Sequence, residues 1–471
     1  MATENTHFGA LEIRKMLKNI DSIYFIGIGG INMSSLAHIT HLRGVKTAGS
    51  DRCKTALTEK LEREGITINY EHSAKNIDGF GAVVYTVAIS PDNPEYLEAK
   101  RRGIPCISRA DYLGYVMVGY RNRIGVSGMH GKSTCTSMCA TAFMVAGADP
   151  TVLSGAELNA MGGAYRVGGE DNFIFEACEY MDSFLDFNPT IAIILNIEMD
   201  HVDYFHSIEQ VRHSFARFAN ITGRDGYAIA NGDDENVKEA LSDYRGNLIT
   251  FGIENKNADF RAENITKKNG LFCFDVIHNN ATLCHISLSV SGYHNIYNAL
   301  AAAAAAHVCG ISGENISRGL AAFHGAARRM EFKGYLSDAR VYDDYGHHPT
   351  EVLTTLEGAK AMCEGDGRLL CAFQSHTYTR TKEFLGELVS ALSVADRVFS
   401  VDIYSAREVD DLGVSAKLIA DLVGDKAIYC PSFHETANAI IREARKGDIV
   451  IIMGAGDVYH VFDFLENKLV K

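Results

Sequence analysis

Short apolar runs that end in glycine or in acidic residues recur along the chain, and they set its organisation. Ile23-Tyr24-Phe25-Ile26 leads into Gly27-Ile28-Gly29-Gly30-Ile31-Asn32-Met33-Ser34, and a helical stretch follows. A second short strand ends near Gly49-Ser50-Asp51, and Ala82-Val83-Val84-Tyr85-Thr86 is another buried strand. The middle of the chain repeats the pattern with Arg123-Ile124-Gly125-Val126-Ser127, Phe173-Ile174-Phe175 and Ile191-Ala192-Ile193-Ile194-Leu195-Asn196. The last third does so with Leu369-Leu370-Cys371-Ala372-Phe373, Val398-Phe399-Ser400-Val401 and Ile449-Val450-Ile451-Ile452-Met453. Continuous apolar runs of this length suit strands buried on both faces, and their alternation with helices predicts parallel sheets covered by helices. A length of 471 residues suits about three such α/β domains. The boundaries fall at residues 1–118, 119–325 and 326–471. The first and third segments are expected to be Rossmann-like, and the central one a P-loop-type ATPase domain.

The glycine turns mark where ligands belong. A glycine turn after the first strand lets backbone approach a phosphate, and the following helix offers unpaired N–H groups. Gly29, Gly30, Ile31, Asn32, Met33 and Ser34 are the candidates there. Asp51, about 20 residues on, stands where an acid meets a ribose. Asn32 occupies the third glycine position of the dinucleotide fingerprint, so the segment predicts a nucleotide-diphosphate site ahead of an NAD site.

Gly128-Met129-His130-Gly131-Lys132-Ser133-Thr134 follows a strand and opens a helix, the arrangement that wraps ATP phosphates. Lys132 is expected on the β- and γ-phosphates and the Ser133 hydroxyl on Mg²⁺. Val126 stands where the strict motif has its first glycine. Two strand ends downstream carry acids or histidine: Glu176-Ala177-Cys178-Glu179-Tyr180-Met181-Asp182, and Ile197-Glu198-Met199-Asp200-His201. Ligands collect at that edge of a parallel sheet, and Mg²⁺ needs only one or two carboxylates. His347 and His348 are neighbours on an extended segment and point opposite ways, so the pair is not expected to chelate one ion.

Composition narrows the class. Apolar residues make up 46% and charged residues 22%, which suits several ordinary cores. A formal net charge of −14 repels nucleic acid as a main partner. No apolar run is long enough for a membrane span, and the start MATENTHFGALEIRK lacks a signal-peptide core. The eleven cysteines form no C-x-x-C pair, and Cys135 and Cys139 are expected to be buried thiols of a cytoplasmic protein.

The ordered set of motifs resembles the Mur ligases of peptidoglycan synthesis over almost the whole chain. It comprises residues 27–34, Gly49-Ser50-Asp51, residues 128–134, Glu176, residues 196–201, Gly292-Tyr293-His294-Asn295, Arg328-Arg329, residues 343–349, residues 374–381 and residues 454–457. The Asp-Tyr-Gly-His-His-Pro stretch at residues 344–349 favours ligases acting on UDP-muramate itself. The resemblance implies ATP-dependent joining of L-alanine to the carboxylate of UDP-N-acetylmuramate, in the cytoplasm, by a monomer or homodimer. It implies that the first domain holds the UDP-sugar, the second ATP, and the third the amino acid. Lys132 would then contact phosphates, while Ser133, Glu176 and His201 position Mg²⁺. His294 and Asn295 would grip adenine. Arg329, Asp344, His347, His376 and Arg380 would reach the nucleotide or the incoming substrate, with His201 and His347 as candidate bases.

Four positions depart from the family pattern. Met129 and Ser133 each stand where threonine is usual in the ATP loop, Cys178 replaces an acid, and Thr377 replaces an arginine. Ser133 keeps the metal-binding hydroxyl. Rival expectations are a ligase attaching a recycled murein tripeptide, a non-catalytic nucleotide binder, and more distantly a folylpolyglutamate-type ligase or an NAD oxidoreductase.

Overall fold

The computed structural model describes residues 3–202, 204–268, 270–406, 408–410 and 412–470. Three sheets follow one another along the chain. β1 (Ser22–Ile26), β2 (Lys46–Ser50), β3 (Thr67–Asn69), β4 (Ala82–Tyr85) and β5 (Cys106–Ser108) form the first, in the order β3-β2-β1-β4-β5. All its pairings are parallel. The order reverses between β1 and β4, which places the glycine loop after β1 in the crevice where such sheets bind ligands.

The central sheet has ten strands. Its core comprises β6 (Asn122–Ser127), β7 (Thr151–Leu158), β9 (Asn172–Glu176), β10 (Ile191–Ile194), β11 (Tyr227–Asn231) and β12 (Asn247–Gly252). β8 (Gly163–Arg166) pairs antiparallel to β7 at one edge. β13 (Phe260–Lys268), β14 (Leu271–His278) and β15 (Ala281–Ser291) extend the other edge as an antiparallel meander. β6 lies between β9 and β10, so the ATP loop that follows it has a strand end on each side. Register fixes the partners: Val126 pairs with Glu176, and Ser127 with Ile194. The apolar run at residues 191–196 predicts a strand to Asn196, but β10 stops at Ile194, and Asn196 leaves the sheet to hold the ATP loop.

The third sheet runs β16 (Glu331–Leu336), β17 (Ala339–Asp344), β21 (Ile449–Met453), β18 (Leu369–His376), β19 (Arg397–Tyr404) and β20 (Ala427–Cys430) in that spatial order. Only the β16–β17 pair is antiparallel. Asp344 and Met453 are register partners at the carboxyl edge, and His376 ends the neighbouring β18.

Packing treats the three units differently. One continuous apolar cluster runs from Phe25, Leu36 and Leu113 in the first unit to Phe175, Phe184 and Phe215 in the second. The helix Arg109–Met117 carries this junction, and Gly114 allows the backbone of Asp186 to come close. The third unit has apolar clusters of its own. Side-chain contacts that tie it to the central unit include the charged and polar pairs Arg380–Asp200, Thr350–Glu198 and His130–Glu351. Burying apolar area stabilises by roughly 25 cal/mol per Å². Polar pairs such as the buried Arg380–Asp200 contribute less on balance, because their groups regain water when the units part. The third unit is therefore the one able to move as a body.

The helix Lys132–Val145 lies between the sheet and the helix Gly313–Ala321, and Gly319 sets that spacing. A Cβ at residue 319 would sit 2.4 Å from the Cα of Ala142. Alanine gains about 1 kcal/mol of helix propensity over glycine. A clash against backbone costs about 1–3 kcal/mol or more, because helices must separate to relieve it. Gly319→Ala is expected to lower the melting temperature despite the better helix former; an unchanged or raised value in a thermal melt would contradict this packing.

Candidate active site

The ATP loop is built by its neighbours as much as by its own glycines. Asn196 clamps it reciprocally: the His130 N–H donates to Asn196 Oδ1 at 2.8 Å, and Asn196 Nδ2 donates to the His130 carbonyl at 3.0 Å. Gly131 has a φ of +82°, and a Cβ there would lie 2.7 Å from Asn298 Oδ1. Left-handed backbone and close approach together explain why glycine stands at that position. The helix begins at Lys132, with its first N–H groups open toward the loop.

Lys132 Nζ donates to the carbonyls of Gly128 and Met129, at 2.6 and 3.0 Å, and to Glu179 Oε1 at 3.0 Å. Burial opposes its charge, but Glu179 outweighs burial and raises its pKa, so Lys132 is a fixed cation. Glu179 is fully buried and also takes His201 Nε2 at 3.2 Å. Burial resists ionisation of this carboxyl as well, yet Lys132 and His201 pull its pKa below the usual value. Its second oxygen, Oε2, is buried with no partner. His201 adopts a left-handed φ of +49°, a conformation that costs a β-carbon-bearing residue of order 1 kcal/mol, and its ring meets Glu179 and Tyr180.

Ser133 Oγ donates to Glu176 Oε2 at 2.7 Å, and the same oxygen accepts the Gly155 N–H at 2.9 Å. A hydroxyl and a carboxylate side by side, with the orphan oxygen of Glu179 nearby on the same loop, form a hard-oxygen donor set that fits Mg²⁺. Met129 is buried with its side chain among apolar neighbours, so it offers phosphates its backbone alone.

A cavity of about 580 Å³ opens beside the loop. His130, Gly131, Thr134, His294, Asn295 and Asn298 line its central wall, and Arg329, Asp344 and Glu351 line the third-unit wall. Its volume suits a small-molecule ligand of nucleotide size. Asn298 donates to Asn295 Oδ1 at 2.9 Å, which fixes the amide of Asn295 at the start of the helix His294–Val308. Asp344 accepts the N–H groups of Met330 and Gly346, both at 2.8 Å, and its burial raises its pKa against the pull of Arg329.

A second constellation lies across the cleft. Arg380 donates through Nε and Nη2 to Asp200 Oδ1, at 3.1 and 2.8 Å, and its Nη1 lies 3.1 Å from His376 Nδ1. Arg380 lowers the pKa of Asp200 well below the carboxylate range even though burial works against it. The rings of His347 and His376 stand 5.7 Å apart. Burial is the main cause that holds both neutral, with pKa values near 3 and 4. His347 Nδ1 faces the Tyr345 carbonyl at 3.2 Å and Glu351 Oε2 at 3.3 Å. His348 turns the other way, toward His130, with ring centroids 4.7 Å apart. Thr377, with φ +61°, caps the helix Tyr378–Glu383 and presents Arg380 inward.

In the first unit, the Gly29 N–H donates to Asp51 Oδ2 at 2.9 Å, and Asp51 Oδ1 accepts the Cys53 N–H. Asp51 therefore braces the glycine loop. Gly30 caps the helix Ile31–Leu42, whose first turn holds Ile31, Asn32, Met33 and Ser34. Met33 and Ser34 are buried, and Ser34 Oγ donates back to the Ile31 carbonyl. Those two residues offer a ligand backbone groups only, whereas Asn32 is half-buried.

Several working residues escaped the motif reading. Glu179, Glu198 and Asp200 sit inside the acidic stretches but received no role. Asn196 looked like the last residue of a strand. Glu351 has the local signature of a helix cap after Pro349, and it does cap that helix, but it also reaches His130 across the domain gap. Gly155 carries no signal of its own.

This geometry defines a nucleotide-binding α/β enzyme with an ATP loop at the centre of a parallel sheet. Comparison with known proteins makes the class specific. Family models described as Mur ligase family, catalytic domain; Mur ligase middle domain; and Mur ligase, glutamate ligase domain match residues 22–121, 126–306 and 328–456. A UDP-N-acetylmuramate–L-alanine ligase of Acetivibrio thermocellus is 44% identical over 451 residues, 95% of this chain and 96% of that protein. The crystal structure of a UDP-N-acetylmuramate-alanine ligase from Thermotoga maritima superposes with a TM-score of 0.78 at 27% identity, covering 95% of this chain and 98% of that one. A murein peptide ligase from Psychrobacter arcticus superposes at 0.68 with 25% identity, over 96% and 100% of the two chains. The chain belongs to the Mur ligase family. Among the described residues, no helix is long and apolar enough to cross a membrane, and all eleven cysteines are free.

Two predictions follow from the site. A Cβ at residue 155 would lie 2.5 Å from Glu176 Oε2, so Gly155→Ala should push Glu176 from Ser133. Turnover should fall at least about tenfold with a raised requirement for divalent cation; a full kcat at ordinary cation concentration would contradict the placement. His130 is the second. Burial opposes its charge, but hydrogen bonds to Glu198 and Glu351 prevail and raise its pKa from 6.5 to about 9. A pKa raised by folding stabilises below the unfolded value and loses that stabilisation as pH rises through the folded value. The link between ATP loop and third unit should be full below pH 6.5 and fade toward pH 9. Melting temperatures across that range should fall more steeply for the wild type than for His130→Asn.

Proposed function

We propose that the chain joins L-alanine to the lactyl carboxylate of UDP-N-acetylmuramate, with ATP becoming ADP and phosphate. The observation that carries this reading is the pairing of an ATP-loop lysine and a hydroxyl–carboxylate set on the central sheet with an arginine–histidine constellation facing them from the third. A carboxylate cannot be displaced directly by an amine, since the leaving group would be oxide. Transfer of the γ-phosphoryl group onto the carboxylate turns that oxygen into a phosphate leaving group. The amine then attacks the carbonyl carbon, and the tetrahedral intermediate collapses to the amide. The similarity to alanine ligases favours alanine over the recycled tripeptide that murein peptide ligases attach.

The residues take their roles from their charges. Lys132 offsets the negative charge that builds on the β- and γ-phosphates. Ser133, Glu176 and His201, with Glu179, would hold Mg²⁺, which when bound supplies further positive charge to the phosphates. His294 and Asn295 present a cavity wall to adenine, and Arg329 approaches from the opposite side. The loop at residues 29–34 offers helix N–H groups to the diphosphate of the UDP-sugar. Arg380, locked by Asp200, orients the carboxylate of the amino acid. His347 has its Nδ1 proton directed at the Tyr345 carbonyl and Glu351, which leaves Nε2 as the acceptor for the ammonium proton. Alone it is too weak a base. The anionic substrates beside it raise its affinity for a proton.

Lys132→Ala is expected to lower product formation by at least about a hundredfold while UDP-N-acetylmuramate still binds. Phosphate release and calorimetric binding of the UDP-sugar read the two effects separately. Wild-type turnover in the variant would sink the role given to Lys132. Wild-type protein that used the tripeptide and ignored alanine would sink the substrate assignment.

A further inference from the structure

A cluster of ligand atoms lies outside the magnesium set and includes a histidine of the ATP loop. His130, Glu198 and His348 each offer one atom, and these atoms lie within 4.8 Å of one another. They come from three segments: the ATP loop, the loop after β10, and the N-cap of the helix Pro349–Lys360. We infer that His130 Nε2, Glu198 Oε2 and His348 Nε2 form a zinc site that fastens the third unit to the ATP loop.

Three independent features of the geometry support this. His348 Nε2 is buried without a hydrogen-bond partner, in a residue only 4% exposed. A buried polar atom left unpaired is costly, and an ion would satisfy it. His130 Nδ1 faces Glu351 Oε1 at 3.3 Å, which leaves Nε2 directed at Glu198 Oε2, 3.4 Å away. Carboxylate backing on the far nitrogen is how metal-binding histidines are usually held. Thr350 Oγ1 donates to Glu198 Oε2 at 2.9 Å and fixes that carboxylate in turn.

The chemistry selects the ion. Two imidazoles and one carboxylate with an open fourth position suit Zn²⁺, whereas Mg²⁺ takes oxygen ligands. Ligand atoms around a tetrahedral ion bonded at about 2.0–2.1 Å lie about 3.3 Å apart. The His130–Glu198 pair already has that spacing, so His348 makes the adjustment. Its Nδ1 accepts the Thr350 N–H at 3.4 Å, a weak bond. Ligation through Nε2 moves the ring proton to Nδ1 and gives up that bond. The helix start stays capped, because Glu351 Oε2 accepts the N–H groups of His347 and His348. His130 releases one proton to solvent as the ion enters, and no oxidation or reduction occurs. His130, Glu198 and Thr350 also line the nucleotide cavity, so the ion would hold the two units together at its mouth.

The test uses metal-free full-length protein. Zn²⁺ is titrated against a chromophoric chelator, and Co²⁺ is added separately as a spectroscopic probe. The expected result is one tight Zn²⁺ per chain, and a Co²⁺ spectrum with tetrahedral d–d bands and no thiolate charge-transfer band. His348→Gln and Glu198→Gln should each weaken Zn²⁺ binding at least about tenfold, while His201→Asn retains it. If His348→Gln does not fold, Glu198→Gln decides. Binding that survives both substitutions, that is lost in His201→Asn, or that shows thiolate bands would place the ion elsewhere and overturn the proposal. Absence of tight binding to the wild type would do so as well.

Discussion

A chain with a formal net charge of −14 must gather three anions at one point: a triphosphate, a carboxylate and the phosphate that departs. Every part of the cleft answers to that constraint. Lys132 supplies one fixed cation at the centre of the middle sheet, and its charge is secured by the buried Glu179. Arg380 supplies another from the third sheet, secured by Asp200. The open N–H groups at helix starts add partial positive charge where no side chain is available. Each cation is paired with a carboxylate from another strand end, Glu179 after β9 for Lys132 and Asp200 after β10 for Arg380, so neither is left bare in the interior. Removing one partner of such a pair leaves an uncompensated charge and costs about 3–5 kcal/mol.

The distribution of apolar surface decides which parts can move. The first and central units share one apolar cluster across the helix Arg109–Met117, and separating them would expose aromatic rings such as Phe184. The third unit meets the central one through Arg380–Asp200, Thr350–Glu198 and the imidazoles of His130 and His348. Both partners of such polar contacts regain hydrogen bonds from water when the units part, whereas exposed aromatic rings do not. The third sheet can therefore swing away from the ATP loop and back, carrying Arg380 and His347 with it. Closure of this sort excludes water from an acyl phosphate, which would otherwise hydrolyse.

The apolar runs made much of this fold legible. β21 coincides with the apolar run read from the sequence, and β18 contains its run and continues through Gln374 and Ser375 to His376, because strands buried on both faces are apolar over most of their length. The meander β13–β15 was not foreseen. One face of it is solvated, and the alternation in Phe260–Lys268 breaks at a bulge between Glu263 and Thr266. In the site, the sequence picked out Lys132, Ser133, Glu176 and His201 from local pattern: Lys132 and Ser133 open the helix after β6, Glu176 ends β9, and His201 lies in the loop after β10. Glu351 and Gly155 were not. Glu351 acts across a gap between units, and Gly155 acts by having no side chain where the Glu176 carboxylate must pass. Long-range partners of this kind leave no trace in local spacing.

The proposed reaction requires a carboxylate that is phosphorylated before the amine attacks. Heavy oxygen placed in the lactyl carboxylate of UDP-N-acetylmuramate reports on that step directly. With ATP and L-alanine present, mass spectrometry of the released phosphate should show one labelled oxygen per amide formed. Phosphate free of label, with amide still produced, would contradict an acyl phosphate and with it the purpose assigned to this gathering of cations.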